Sequence, residues 1–525
     1  MVDLIIRNAN VYDGNGGDAY VADILVKHDR IYDIGNFMDV HAKQTIDAKG
    51  LATFPGFIDT HTHSDAILLK KPHREEALLQ GITTEITGSC GIGVLPMTKV
   101  RKDYIKTVKG IVGDVDLSTK FTNIDEYINA VGNTGINYAV QAAHSPIRAE
   151  AVGMSDVYMD DLAMSKLIGI TEKMFEDGAC ALSTGLAYYP ASFSNTNELV
   201  ELCRVAKKFN APITVHLRSV INKYFDKATF DAVDEIIKAA KESGVKLHFS
   251  HRRTRADNFG NAEGITRVIE DGRKNGLTIT ADFYPYPVGC GYVAVYLPLW
   301  VMDGGYDNIM ERLNNDKTRK KIALDMERTV ENLENGVFIS SMNHSEYIGK
   351  TYSEVALETG ETVAEMLVRF LSEEKLDGGY RPIADFSNEE IKRFEADCAF
   401  LIKQPYYMIG SDTLPMHTFV HPRTTSTFPK MLRIAREHNV DLSTLANRFS
   451  ALPADVFAIK DRGRIVKGGY ADITIFDKDK VCENSNFDEP TKQPTGIKYV
   501  IVNGKIAVDN GICTDNLAGV PIKRG

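Results

Sequence analysis

The feature that most constrains the fold is a regular alternation of short β-rich runs with longer amphipathic stretches through the middle of the chain. This alternation is typical of parallel strands joined by crossover helices. Eight such units predict an α/β fold of the (β/α)8, or TIM-barrel, type, in which catalytic groups lie at the carboxyl ends of the strands. The eight candidate strands are residues 51–59, 83–87, 137–142, 179–183, 212–216, 246–250, 278–283 and 406–409.

The two ends of the chain show short alternating strands without the long helical stretches between them. Near the start, two such runs are joined through a glycine-rich turn, and near the end Asn503-Gly504 is a strong signal for a two-residue hairpin. We expect the two ends to pair into one small composite β-sandwich domain, made of residues 1–54 and 463–525.

The barrel is expected to comprise residues 55–287 and 405–462, with an insertion before its last strand. The intervening residues 288–404 are too many for one crossover and include charge-rich helical stretches at 318–335 and 362–375. We therefore expect an insertion, or lid region, with helices over the mouth of the barrel.

Composition restricts the class of protein. The 525 residues are 43% hydrophobic and 25% charged, and no apolar run approaches the roughly 18 residues that a membrane helix needs, so we expect no membrane protein. The start lacks the pattern of a secretory signal, and the seven cysteines are scattered, which argues against a disulfide framework and favours the cytoplasm. A formal charge of −10 without a basic run argues against nucleic acid and favours a small-molecule substrate.

His61 and His63 stand two positions apart at the end of the first predicted strand. On an extended backbone, residues i and i+2 share one face, so both imidazoles can reach a single metal ion. Alone, such a pair is as typical of two solvated surface histidines. Its position at a strand end favours the metal site.

His216 and His251 stand at the ends of the fifth and sixth predicted strands. Taken singly, each is more typical of a packed or surface histidine than of a ligand, but four histidines at one end of a barrel favour ligation. His248 competes with His251. Because these two are three positions apart, they face opposite sides of a strand, and only one of them can point inward.

Cys90 and Asp412 also follow predicted strands. Cys90 lies in a glycine-rich turn after the second strand, where it is either a small buried hydrophobic residue or a thiolate ligand able to bridge two zinc ions. Asp412 closes the eighth strand, where the alternative to a site residue is the N-cap of the next helix.

Nine short motifs spread over nearly the whole chain belong to one pattern: Pro55-Gly-Phe-Ile-Asp-Thr-His-Thr-His63, Gly88-Ser-Cys-Gly-Ile92, Ser183-Thr-Gly-Leu186, Ser250-His251, Tyr284-Pro-Tyr286, Gly410-Ser-Asp412, His421-Pro-Arg423, Thr427-Phe-Pro429 and Ala471-Asp-Ile473. In these motifs the chain resembles the amidohydrolase superfamily and, within it, the D-aminoacylases (N-acyl-D-amino-acid deacylases).

The resemblance implies one or two Zn²⁺ ions as cofactor, with Asp412 as the catalytic residue. It implies a weaker metal position served by His61 and His63 and a tighter one served by Cys90, His216 and His251. The substrate-binding residues that it implies are Tyr188, Arg253 and Tyr284. The chain departs from the family at two points, since Arg253 stands where the family usually has Lys, and residues 287–292 replace a small hydroxyl-bearing pair.

The predicted function is zinc-dependent hydrolysis of the amide bond of N-acyl-D-amino acids to a carboxylate and a free D-amino acid. Metal-activated water attacks, with Asp412 as general base and then as general acid. Arg253 is the candidate for holding the substrate carboxylate, because arginine offers a bidentate fork.

Two alternatives are left open. One is a cyclic amide hydrolase, acting on hydantoin-like or dihydropyrimidine-like rings, or a deaminase of the same superfamily, because the fold does not choose between these reactions. The other is a catalytically inactive structural homologue, which we disfavour because every ligand position of the family is filled. A homo-oligomer is compatible with the sequence.

Overall fold

The computed structural model describes residues 1–524 except 97, 99, 117–120, 219–228 and 415–420. The first 55 residues contain strands without helices between them. They are β1 (Val2–Val11), β2 (Tyr20–Lys27), β3 (Arg30–Gly35), β4 (Ala42–Asp47) and β5 (Ala52–Pro55).

From residue 57 to residue 287, strands alternate with helices. The strands are β6 (Phe57–Asp59), β7 (Ile82–Thr87), β8 (Asn137–Val140), β9 (Ala142–Ala143), β10 (Leu182–Gly185), β11 (Pro212–His216), β12 (Lys246–Phe249) and β13 (Ile279–Phe283). The helices are α1 (Asp65–Lys70), α2 (Glu75–Leu78), α3 (Arg101–Thr107), α4 (Lys109–Val112), α5 (Ile124–Val131), α6 (His144–Val152), α7 (Asp161–Glu176), α8 (Thr196–Lys208), α9 (Thr229–Ser243) and α10 (Ala262–Lys274). Side chains of Asn123, Asn195 and Asn261 cap α5, α8 and α10, which explains where these helices begin.

The predicted insertion contains helices and a small sheet. Its elements are β14 (Gly291–Tyr292), α11 (Leu299–Met302), α12 (Tyr306–Asn314), α13 (Asp316–Thr329), β15 (Val337–Ser340), α14 (Tyr352–Thr359), α15 (Val363–Glu373), β16 (Gly379–Arg381) and α16 (Asn388–Lys403). Helices α13 and α15 lie within or close to the two stretches, 318–335 and 362–375, that the sequence predicts to be helical. The antiparallel sheet β14-β16-β15 was not predicted, because strands of two to four residues are too short to show a periodicity.

The last part of the chain returns to strands after three helices. Its elements are β17 (Tyr407–Ile409), α17 (Arg423–Glu437), α18 (Leu442–Ala446), α19 (Leu452–Phe457), β18 (Ile473–Phe476), β19 (Ile497–Val502), β20 (Lys505–Asp509), β21 (Ile512–Cys513) and β22 (Pro521–Ile522). The predicted hairpin at Asn503-Gly504 is confirmed. It joins β19 to β20, and both turn residues have positive φ, as a two-residue hairpin turn requires.

Strands from both chain ends form one nine-stranded sheet. Its order is β21-β20-β19-β18-β5-β1-β2-β3, and β4 pairs with β1. The two ends meet where β5 runs antiparallel to β18. The last strand, β22, pairs instead with β8.

Two parallel sheets occupy the middle of the molecule. Their orders are β17-β13-β12-β11-β10-β9 and β22-β8-β7-β6. Strand β9 follows β8 after one residue and so leads from one sheet to the other. Parallel pairing in chain order places the carboxyl ends of the strands at a common edge, and apolar side chains such as Ile213 and Leu247 pack in the main core with residues of the surrounding helices.

The first predicted strand, residues 51–59, is in fact two strands in two different sheets. They separate at Gly56, whose N–H donates to the Asp472 carbonyl (2.8 Å) and where a Cβ would collide with the Thr83 side chain. The run of apolar residues continues across Gly56, so the sequence does not show the break. Only the packing of the two sheets reveals it.

None of the helices in the described part of the chain combines the length and the apolar character needed to cross a bilayer.

Candidate metal centre

All the residues predicted as metal ligands lie at the carboxyl ends of parallel strands, and two groups of potential ligand atoms form there. In each group the ligand atoms lie within 4.8 Å of one another. The first group contains His61, His63, Cys90 and Asp412, and the second contains Cys90, His216 and His251. Cys90 is shared, so a thiolate at this position can bridge two ions.

The first group connects the ends of β6, β7 and β17. The Cys90 Sγ lies 3.2 Å from His61 Nε2. The Asp412 Oδ1 lies 3.5 Å from that same nitrogen and 3.3 Å from His63 Nε2. One thiol, one carboxylate and two imidazoles thus converge from three strands.

The second group connects the ends of β7, β11 and β12. The Cys90 Sγ lies 3.6 Å from His216 Nδ1 and 3.6 Å from His251 Nε2, and these two nitrogens are 2.7 Å apart. His248 is in neither group, because its ring bonds to Thr280 Oγ1 (2.9 Å) and Asp282 Oδ2 (2.9 Å). The structure therefore places His251, and not its competitor, next to Cys90.

Glycines shape the turn that presents Cys90. Gly88 and Gly91 both have positive φ, and Gly185 of β10 lies so close that a Cβ there would collide with the Cys90 carbonyl oxygen. The Gly91 N–H donates to Ser183 Oγ (2.7 Å), which fixes the turn to β10. Glycine is therefore required here, because the turn has positive φ angles and its backbone lies in close contact with β10.

Three non-glycine residues of the cluster have left-handed backbone conformations. The φ angles are 54° for Cys90, 40° for His251 and 55° for Asp412. Such conformations cost on the order of 1–3 kcal/mol each and persist where the surrounding structure enforces them, most often at functional sites.

Asp282, which the sequence analysis missed, orients the histidines. Its Oδ2 lies 3.3 Å from His61 Nδ1, and its Oδ1 accepts the backbone N–H of His251 (2.5 Å). Burial opposes ionisation of Asp282, but His61 and His248 outweigh it and keep its pKa well below the ordinary value. An ionised carboxylate can only accept, so it holds one proton of His61 on Nδ1. Burial opposes the charged ring, but Cys90 and Asp282 outweigh it and raise the pKa of His61 well above its ordinary value, so a metal that binds Nε2 has to displace a second proton.

Arg423 is the second residue that the sequence analysis left without a role, although its motif His421-Pro-Arg423 had been noticed. Its Nη1 lies 2.9 Å from Asp412 Oδ2, and its side chain is 1% exposed. Burial raises the pKa of Asp412, yet the Arg423 charge outweighs burial and holds that pKa well below its usual range. Asp412 is therefore ionised at neutral pH and able to accept a proton.

The protonation of the second group suits metal binding. Burial lowers the pKa of His251 to about 3 and lowers that of His216 well below its ordinary value. Both rings are therefore neutral at pH 7, which is the form that ligates. Burial also raises the pKa of the Cys90 thiol, so ligation by this sulfur has to displace its proton.

The residues predicted to bind substrate surround this cluster. The Tyr188 ring centroid lies 4.6 Å from that of His216. Arg253 Nη2 donates to the Tyr284 hydroxyl (3.1 Å), and its Nη1 donates to the Pro287 carbonyl (2.9 Å). The Arg423 guanidinium lies 4.8 Å from the centre of the Tyr284 ring. The structure thus brings the predicted substrate residues to the same edge as the ligands.

Comparison with known proteins gives a consistent picture. The model of the amidohydrolase family matches residues 52–507. The N-acyl-D-glutamate deacylase of Alcaligenes xylosoxydans xylosoxydans is 30% identical over 512 residues, which cover 96% of this chain and 93% of that protein. The D-aminoacylase of the same organism is 27% identical over 507 residues, with 96% and 93% covered.

A solved structure agrees over the same length. It is the N-acyl-D-glutamate deacylase of Bordetella bronchiseptica, complexed with zinc and a phosphonate inhibitor that mimics the tetrahedral intermediate of the reaction. Its TM-score with this chain is 0.81, at 26% identity over 99% of each chain. The chain belongs to the amidohydrolase family and, within it, to the D-aminoacylases, and is a hydrolase of amide C–N bonds.

Proposed function

We propose that this protein hydrolyses the amide bond of N-acyl-D-amino acids in a zinc-dependent reaction and releases a carboxylate and a free D-amino acid. The observation that carries the proposal is the position of Asp412, an ionised carboxylate that faces both histidines of the first ligand group and is paired with Arg423. This arrangement supplies a proton acceptor next to a candidate metal centre.

The residues present fit one or two zinc ions. Imidazole nitrogen and thiolate sulfur are the donors that zinc prefers in proteins. The proposed ligands are His61 and His63 for one ion and His216 and His251 for the other, with Cys90 shared.

Zinc, when bound, supplies a Lewis acid for the amide carbonyl and lowers the pKa of water toward neutrality. Asp412 accepts the proton of the attacking water and then gives it to the departing nitrogen, which leaves poorly as an anion. Arg423 keeps Asp412 ionised before the attack and fixes its second oxygen, so that Oδ1 points to the histidines.

The substrate carboxylate is proposed to bind at Arg253 and Tyr284, with Tyr188 against the ring of His216. Arg253 keeps its Nε buried without a partner in the described residues, so this donor is free for a ligand. The guanidinium is also held in place, because its other nitrogens bond to Tyr284 and to backbone carbonyls. A preorganised cation loses little conformational freedom when it binds an anion.

We also propose that the two parallel sheets close into one (β/α)8 barrel. This proposal is supported by hydrogen bonds between the residues that follow β6, the first parallel strand, and those that follow β17, the last one. The Thr60 N–H donates to the Ile409 carbonyl (3.3 Å) and the Asp412 N–H donates to the His61 carbonyl (2.8 Å). The proposed domains are the barrel of residues 55–287 and 405–462, the insertion of 288–404 and the composite β-sandwich of 1–54 and 463–525.

The test is a hydrolysis screen with zinc-loaded enzyme over N-acetyl-D-amino acids, their L-enantiomers, hydantoin and dihydrouracil. We expect turnover of D-substrates with little of the others. Preferential opening of the rings would favour the cyclic amide hydrolase. Absence of turnover from protein with a full metal content would favour an inactive homologue.

A further inference from the structure

Gln141 is the residue between β8 and β9, at the point where the chain passes from one parallel sheet to the other. Its backbone N–H donates to the carbonyl of Thr87 (3.1 Å), the last residue of β7, and the residue is 1% exposed. A buried amide needs hydrogen-bond partners, because leaving it unpaired in the interior costs free energy. The partners of the Gln141 side chain therefore indicate what the residue does.

Both ends of the Gln141 amide are paired with buried hydroxyl groups. Its Nε2 donates to Ser89 Oγ (3.1 Å), and its Oε1 accepts from Thr214 Oγ1 (2.7 Å). Ser89 precedes Cys90 in the turn after β7, and Thr214 stands two residues before His216 on β11. Residues i and i+2 of a strand point to the same face. The amide therefore connects the turn of the shared thiol to the strand of a histidine ligand.

The turn that carries Cys90 is held on both sides of the thiol. With a φ angle of 54°, Cys90 has a backbone conformation that persists only where the surrounding structure enforces it. On one side the Gly91 N–H donates to a serine hydroxyl of β10 (2.7 Å), and on the other side Ser89 is held by Gln141. Between these two contacts, the Cys90 Sγ lies 3.6 Å from His216 Nδ1.

From these contacts we propose that Gln141 is a positioning residue of the metal centre. By tying the Cys90 turn to the strand of His216, it sets how tightly the second ligand group holds zinc. The inference rests on the proposed function and adds a residue that is not itself a ligand. Residues that orient metal ligands contribute about 10- to 100-fold to metal affinity, because a ligand that is already fixed loses less conformational freedom when it binds.

The test is the zinc affinity of Gln141→Met, which has a similar size but can neither donate to Ser89 nor accept from Thr214. We expect its dissociation constant for zinc, measured by competition with a chelator, to rise at least about tenfold. In cobalt-loaded protein the thiolate-to-cobalt absorption band, which reports the placement of Cys90, should weaken or shift. Gln141→Glu should retain most of the affinity, because both hydroxyl groups can donate to a carboxylate.

Thr214→Val breaks the same bridge from its other end and is nearly isosteric, so it tests the proposal even where Gln141→Met fails to fold. Because one bridge is involved, the double variant should bind zinc about as tightly as the weaker of the two single variants. The matched control is Gln80→Met. That glutamine is also 1% exposed, and its amide donates to the carbonyls of Glu76 (2.8 Å) and Thr424 (2.8 Å). Its replacement should lower the stability of the fold and leave the zinc affinity unchanged.

Wild-type zinc affinity in both Gln141→Met and Thr214→Val would overturn the role of Gln141 and leave the proposed hydrolysis intact. The same follows from an equal loss of affinity in Gln80→Met. Additive losses in the double variant would show that the two side chains act separately, which also contradicts a bridge. Wild-type protein that binds no zinc would overturn the metal centre itself and, with it, the proposed function.

Discussion

At the scale of single residues, the centre depends on carboxylates that are held in one protonation state. Asp282 Oδ2 lies 3.3 Å from His61 Nδ1 and holds a proton on that nitrogen. Asp412 Oδ1 lies 3.5 Å from the other ring nitrogen, Nε2, and Arg423 keeps Asp412 ionised. We therefore propose different tasks for the two carboxylates: Asp282 orients a ligand and Asp412 moves a proton.

Replacing the proton acceptor should separate catalysis from metal binding. In Asp412→Asn the amide keeps the size of the side chain and can still accept from Arg423, but it cannot take up a proton. We expect kcat to fall by about 10²- to 10⁴-fold, while metal held by Cys90, His216 and His251 stays bound. Steady-state kinetics and elemental analysis of the same preparation measure both. A variant with wild-type turnover would remove Asp412 from the reaction.

Replacing the shared ligand should have the opposite effect. Cys90→Ala removes the atom common to both ligand groups, so we expect loss of most of the bound zinc together with activity. Cys203→Ala is the matched control, because that thiol is fully buried in α8 and lies outside both groups. It should retain its zinc. Equal zinc contents in the two purified variants would show that Cys90 is only a packing residue.

At the scale of elements, the centre depends on how closely strand β10 approaches the turn after β7. A Cβ on Gly185 of β10 would collide with both the carbonyl oxygen of Cys90 and the ring of Tyr188. There is no room for a methyl group between these atoms. The position of the thiol is therefore set by a strand that contributes no ligand of its own.

We expect Gly185→Ala to push the Cys90 turn away from β10, to weaken zinc retention and to destabilise the protein by at least about 1–3 kcal/mol, as overpacking of a dense interior does. The measurements are the midpoint of chemical unfolding and the zinc content after dialysis. A variant that keeps wild-type zinc and stability would show that the turn can shift freely.

The control for this change is Gly169→Ala in the middle of α7, where a Cβ would meet no atom within 4 Å. Alanine is favoured over glycine inside a helix, so this variant should be more stable by about 0.5–1 kcal/mol and should keep its zinc. The pair separates the effect of a methyl group in a tight contact from the effect of glycine replacement itself.

At the scale of the whole molecule, a buried polar network joins the composite sheet to the parallel strands. Asp472 pairs with Arg462, accepts from the Asn137 side chain of β8 (3.0 Å) and from the Asn503 backbone (2.8 Å), and its own carbonyl accepts from Gly56. Every member is buried or nearly so. The side chain and the backbone carbonyl of Asp472 therefore link the composite sheet to the parallel strands, which explains the motif Ala471-Asp-Ile473.

Asp472→Ala should destabilise the whole protein strongly, because it leaves the Arg462 charge buried without its partner. Losing one partner of a buried pair costs about 3–5 kcal/mol. Asp455→Ala, which breaks the exposed pair with Arg464, should cost less than about 1 kcal/mol. Urea unfolding followed by circular dichroism gives both values. Comparable small losses in the two variants would mean that the network contributes little to joining the sheets.

The sequence by itself determined much of this protein. Alternating β-rich and amphipathic runs indicated the parallel strands, and the chain's His-x-His pair, its single histidines at strand ends, Cys90 and Asp412 were all found in one cluster. This works because parallel strands bring their carboxyl ends to one edge whatever the length of the segments between them. The hairpin at Asn503-Gly504 could also be predicted, because the two turn residues alone indicate it.

Tertiary structure alone decided the features that join distant segments. The division of residues 51–59 between two sheets follows from packing at Gly56, and the roles of Asp282, Arg423 and Asp472 depend on side-chain partners as far as 335 residues away in the chain. A sequence records which groups are available, but the charge and orientation of each depend on neighbours that only the folded chain brings within a few ångströms.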